Sequence, residues 1–138
     1  MGCPSVLHHA YAANLEILSE LEWWKNGQCV IERVASYGMP VGEEIFKTVY
    51  WSGRFAQSFG ADNVQRVPRL KAKLHLCHDS RAKDANIRQA LIDRFGKPGT
   101  KKEPSILYGI TGDLWAALAL AVTWWDLNAA VTIGGSAA

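Results

Sequence analysis

The chain has no cysteine framework. Its three cysteines, Cys3, Cys29 and Cys77, include no C-x-x-C pair. An odd count without regular spacing speaks against a disulfide-stapled fold and for a reducing compartment. Long apolar runs are also missing. The longest, Leu114 to Trp125, is too short to span a bilayer. The opening "MGCPSVLHHA" has no basic segment followed by an apolar core, so it is not a secretory signal. No repeat and no shift in composition marks an internal boundary. The expectation is a cytoplasmic protein with no membrane segment, folded as one domain over residues 1–138 with flexible ends at 1–11 and 128–138. The 138 residues suffice for a core, and the ordinary apolar share speaks against disorder.

Charge is unevenly spread. From Val64 to Lys102 there are eleven Lys and Arg against three Asp, a local net of +8 in a chain whose total is +2, which leaves −6 for the remainder. A basic run of this kind is either a solvated face or a surface for phosphates.

Hydrophobic periodicity and punctuation predict an α/β chain. "AANLEILSELEWWK" (Ala12–Lys25) reads as a helix with Leu15, Leu18 and Leu21 near one face, ended by Asn26-Gly27. Gln28 to Val34 reads as a strand. Glu43 to Phe59 reads as a helix with two acids in its first turn, a stripe of Phe46, Val49, Gly53 and Ala56, and Gly60 as its stop. Asn63 to Arg69 is a short strand and "RLKAKLHLCH" a short helix. "KDANIRQALIDRFG" is a firmer helix, with Ile87, Ala90, Leu91 and Phe95 at helical spacing and Gly96 as stop. "GKPGTKKEPS" reads as a flexible basic loop. Asp113 to Leu127 is a helix apolar nearly all round, hence mostly buried, followed by a frayed tail.

Two acids stand in unusual places. Glu32 lies in the middle of the apolar strand "CVIERV". Burying an unpaired charge is costly, so it requires a basic partner, an exposed strand face or a metal. Asp113 opens the most apolar helix, where capping the helix and complementing its dipole would suffice. Taken together, one acid on a strand and one at the start of a buried helix form a pair that can converge on a divalent cation. Mg²⁺ takes oxygen ligands and few carboxylates, and two such ions can activate a water and stabilise the leaving oxygen in phosphodiester cleavage. A shared ion requires the two carboxylates within about 4–6 Å of each other.

The stretches "IERVASYGMPVG", "HLCHDSRAKDANIRQALIDRFG" and "YGITGDLWAALALAVTWWD" resemble those of a phage and prophage family of RuvC-like Holliday junction resolvases, over about Ala13 to Asp126. The resemblance implies a ribonuclease H-like mixed sheet flanked by helices, here N-terminally truncated. It implies Mg²⁺- or Mn²⁺-dependent cleavage of branched DNA by a homodimer. The family's strand glutamate falls on Glu32 and the acid of its final helix on Asp113, as catalytic and metal-binding residues. Arg66, Arg69, Lys71, Lys73, Arg81 and Lys83 would then hold DNA phosphates. Two departures are plain. The fold normally begins with a strand hairpin bearing a G-x-D-x-G motif, which this chain lacks, and a second helix acid is replaced by Ala116. The alternative is a remnant that binds branched or duplex DNA without cutting it.

Other constellations carry less. His75, Cys77 and His78 in "HLCH" are too close together to clamp one tetrahedral zinc from a helix, and His75 or His78 contacting phosphate fits better. A Cys/His nucleophile pair has no supporting pattern. The six tryptophans are read as core or interface rather than base-stacking platforms, and Asp84 as a helix-start acid.

Overall fold

A computed structural model describes residues 5–136, with side chains described through residue 129. These residues form a mixed α/β structure of five α-helices, one 3-10 turn and a two-stranded parallel sheet. In chain order they are α1 (Asn14–Trp23), β1 (Cys29–Arg33), α2 (Glu43–Phe59), the 3-10 turn Ala61–Asn63, β2 (Val64–Pro68), α3 (Arg69–Cys77), α4 (Asp84–Phe95) and α5 (Leu114–Ser136). They fall into two compact units, one of Tyr11–Pro68 and one of Met1–Ala10 with Arg69–Ala138. No described helix is long and apolar enough to cross a membrane.

In the Tyr11–Pro68 unit, α1 starts where the Ala13 N–H donates to Glu16 Oε2 at 3.1 Å. It packs on α2 through half-buried Ile17, Leu18 and Leu21, while Leu15 is exposed. The α2 boundaries match the reading from its acids and Gly60. Gly60 has φ 111°, and its N–H donates to the Ala56 carbonyl. The buried face differs from the expected stripe. Ser52, Ala56 and Phe59 are inside, whereas Phe46 and Val49 are exposed. At 100° per residue the true face lies roughly a quarter turn from the stripe. The small Ser52 and Ala56 are what permit close packing there.

Strands β1 and β2 pair in parallel, Cys29 with Val64 through Arg33 with Pro68. Parallel neighbours need a long crossover, and α2 supplies it.

In the other unit, α3, α4 and α5 pack on one another. The core is Ala72, Ala82, Ile87, Leu91, Leu107, Ile110, Trp115, Ala119, Leu120 and Val122. Asn86 Oδ1 accepts the Lys83 N–H at 2.9 Å at the start of α4, and Gly96, at φ 92°, ends the helix. The segment before α1 has no regular structure in residues 5–10, yet His9 Nε2 lies 3.0 Å from the Tyr108 carbonyl. Helix α5 runs on to Ser136, past the expected end at Leu127. No breaker intervenes before Gly134, and alanines favour continuation. The expectation of flexible ends falls partly on 1–4 and 137–138, which lie outside the described residues.

Helix α5 carries a single charge, Asp126. Arg94 of α4 grips it with two bonds, Nη1 to Oδ2 at 2.5 Å and Nη2 to Oδ1 at 2.7 Å. His75 of α3 adds a third at 2.7 Å. The Arg94 hydrogen bond holds the Asp126 carboxyl below the usual carboxylate range. Burial opposes this, and His75 adds to the lowering. A depressed folded pKa stabilises the fold above the unfolded carboxylate value of about 3.9. That contribution is lost as pH falls through the lower folded value. Asp126→Asn should therefore lower stability at pH 7 by about 2 kcal/mol and flatten the loss of stability below about pH 4. Urea unfolding at several pH values measures both, and an unchanged midpoint at pH 7 would show the cluster to be dispensable.

Candidate metal and phosphate site

Glu32 sits on β1 opposite Val67. Alternation places it on the same face as Val30, beside a Val67 that is buried. Glu32 itself is half-buried. Among the described residues it has no basic partner, so the ion-pair explanation for this acid is not met.

Asp113 immediately precedes α5. Its carbonyl accepts the Ala117 N–H at 3.1 Å, which is the backbone role of an N-cap residue. It is exposed and lines a cleft of about 490 Å³ with Arg69, Asp84, Arg88, Thr111 and Trp115. Arg69 Nη2 lies 3.3 Å from Asp84 Oδ1. The Arg88 guanidinium carbon stands 5.2 Å from the centre of the Trp115 ring. One wall region thus offers carboxylate oxygens, which a hard cation takes, and guanidinium groups, which suit phosphate. The cleft belongs wholly to the unit containing Arg69–Ala138, and Glu32 belongs to the other unit. Among the described residues no three His, Cys, Asp or Glu side chains cluster for a metal.

The six expected phosphate contacts divide in the same way. Arg66 is exposed on β2. Lys71, Arg81 and Lys83 are exposed in the α3–α4 region, Lys73 is half-buried, and Arg69 is half-buried and held by Asp84. Asp84 is at the start of α4, as expected, and its partner is Arg69. His75 is committed to Asp126, which removes it as a phosphate contact, whereas His78 is exposed. Burial pushes the Cys29 thiol up. Burial, then the charge of Asp79, does the same to Cys77. Neither has the thiolate character of a nucleophile. Of the tryptophans Trp115 is core, but Trp23 and Trp24 at the end of α1 are exposed at 83% and 59%.

Arg88 was not singled out by the sequence reading. The available signal was its place four residues after Asp84, on the same helical face. Tyr37 was also missed. The Met39 N–H donates to the Ser36 carbonyl at 2.9 Å, closing a turn in which Tyr37 and Gly38 have φ 49° and 79°.

No family model matches the chain, and no curated protein or solved structure is significantly similar to it.

A left-handed backbone costs an ordinary residue roughly 1–2 kcal/mol, and Tyr37 is 66% exposed, so packing does not offset it. Asn tolerates this conformation. Tyr37→Asn should raise stability by about 0.5–1 kcal/mol. A lower urea midpoint would show instead that the tyrosine ring stabilises the turn.

Proposed function

We propose that this chain is a RuvC-like endonuclease of the ribonuclease H-like kind, which cleaves branched DNA with Mg²⁺ or Mn²⁺. The observation that carries the reading is the cleft at the start of α5, where Asp113 stands with Arg69 and Arg88. A carboxylate for a cation and guanidinium groups for phosphate on one surface are what phosphodiester chemistry requires. Support comes from Glu32, half-buried on its strand with no basic partner among the described residues. It also comes from the basic balance of the unit holding the cleft, ten Lys and Arg against six Asp and Glu.

Glu32 and Asp113 would hold the ion, which when bound supplies an activated water and stabilises the leaving oxygen. Arg69, with Lys71, Lys73, Arg81, Lys83 and Arg66, would neutralise phosphates and orient the strand. Pairing with Asp84 keeps the Arg69 fork in place, so less side-chain freedom is lost on binding.

A second reading, DNA binding without cleavage, is favoured by the two-stranded sheet. Among the described residues neither strand places a second acid beside Glu32. Cleavage of a four-way junction with Mn²⁺ separates the two. The nuclease reading expects wild-type cleavage and a loss of at least 100-fold, about 2.7 kcal/mol, in both Glu32→Gln and Asp113→Asn, with junction affinity retained. Wild-type binding without cleavage leaves the second reading. Cleavage that survives either substitution removes that residue from the site.

The partner expected on this reading is a second copy of the chain. Ile45, Phe46, Val49 and Tyr50 leave the first half of α2 with an exposed apolar face, the natural place for its contact. Phe46→Glu should convert dimer to monomer in sedimentation equilibrium. An unchanged mass would place the dimer contact elsewhere, and a monomeric wild type would remove it.

A further inference from the structure

Residues 97–105 join α4 to the segment that leads into α5. They form a closed hairpin rather than the flexible loop their composition implies. Gly99 and Pro104 make an antiparallel bridge. The Thr100 N–H donates to the Glu103 carbonyl at 3.0 Å, and the Glu103 N–H returns to Thr100 Oγ1 at 3.2 Å. At the base, the Ser105 N–H donates to the Pro98 carbonyl at 3.2 Å and the Ser105 hydroxyl to the Lys97 carbonyl.

Gly99 is the only residue type that fits its position. Its φ is 76°, and a Cβ there would press on the Glu103 carbonyl oxygen and lie 2.9 Å from the Ser105 nitrogen. The mount is firm on both sides. The Gly96 N–H closes α4 on the Ile92 carbonyl at 2.8 Å. The Tyr108 N–H donates to the Ser105 carbonyl at 3.0 Å, next to a fully buried Leu107.

The tip carries Lys101 and Lys102. Both are exposed, and neither has an ion-pair partner among the described residues. Lys97 adds a third positive charge, and Glu103 is the single acid in the segment. Lysines that served only solubility would need no such mount. A glycine-locked turn fastened at tip and base holds two adjacent ammonium groups at a fixed place. Less ordering is then required when they meet a ligand. Compact, hydrated lysine charges suit the successive phosphates of a nucleic-acid backbone.

We infer that the 97–105 hairpin is a DNA-backbone contact, with Lys101 and Lys102 each neutralising one phosphate outside the cleft. The inference rests on the DNA-binding part of the proposed function and adds a binding element to it.

Affinity for a fluorescent four-way junction, measured by anisotropy across a salt series, tests it. Each phosphate neutralised adds about 0.9 to the negative slope of log affinity against log salt. Lys101→Gln with Lys102→Gln should make the slope shallower by about 1.8 and weaken binding about ten-fold or more near 0.1 M salt. Lys25→Gln with Lys47→Gln removes the same charge from residues paired with Glu22, Glu43 and Glu44, and should leave the slope as in wild type. Gly99→Val keeps every charge but breaks the turn, and should lose affinity several-fold with an unchanged charge count. A steep wild-type slope that the tip substitutions leave untouched overturns the hairpin contact alone. A flat wild-type slope overturns the DNA-binding reading beneath it. An equal loss in the Lys25 and Lys47 control reduces the effect to net charge and overturns the hairpin contact. These surface lysine changes leave the core intact, so the outcome does not depend on whether Gly99→Val folds.

Discussion

A carboxylate in the middle of a long apolar helix must be satisfied by the protein, and the Arg69–Ala138 unit is organised around that requirement. Asp126 is the only charge on α5, and Arg94 and His75 reach it from the two neighbouring helices. Leucines and alanines alone permit several rotations of one helix against another, because apolar contact is not directional. A bidentate guanidinium–carboxylate pair permits one. Such pairs contribute little net stability against apolar replacements, and their better attested use is to select one arrangement. The rotation chosen for α5 also decides where its first turn opens. The cleft beside Asp113 is therefore downstream, in physical terms, of an ion pair more than three helical turns away.

Several acids of the chain are held by basic partners. Glu22 has Lys25, Glu43 and Glu44 have Lys47, Asp84 has Arg69, and Asp126 has Arg94 and His75. Glu32 stands apart from these. It is half-buried beside a buried valine on a parallel strand pair, with no basic partner among the described residues. This contrast, rather than the mere presence of carboxylates, is what the proposed role of Glu32 rests on.

Much of the secondary structure was legible because its signals are local. Glu43, Glu44 and Gly60 delimit α2, Gly96 ends α4, and the apolar run of "CVIER" marks β1. The rest depended on partners distant in the chain. The stripe expected for α2 shares Ala56 with the buried face, but packing turns in Ser52 and Phe59 and leaves Phe46 and Val49 exposed. The expected end of α5 at Leu127 falls short, just before Asn128. The Asn128 side chain donates to the Trp124 carbonyl within the helix. Segment 97–105 has the composition of a loose linker, and only the pairing of Thr100 with Glu103 and of Ser105 with Lys97 distinguishes a hairpin from one. At the site, the positions of Glu32 and Asp113 on a strand and at a helix start could be read directly. Arg88 has the four-residue spacing from Asp84 as a local signal, whereas the contact of Arg69 with Asp84 follows from tertiary packing.

The His9 contact to the Tyr108 carbonyl joins residues 99 apart in sequence, and the Tyr11–Pro68 unit is contained within that span. On the ribosome the inner unit is complete when Pro68 has emerged, and it can fold while the remainder is still being made. The outer unit has to wait. Its leading segment finds no partner until the chain has passed Tyr108, and closing so large a loop carries an entropy cost that grows with the logarithm of its length. Helix α5 is the one that brings Asp126 to Arg94 and His75. Until it is made, the basic α3–α4 region exists without the helix that orders it. The nascent chain thus acquires its cleft only once α5 has been made.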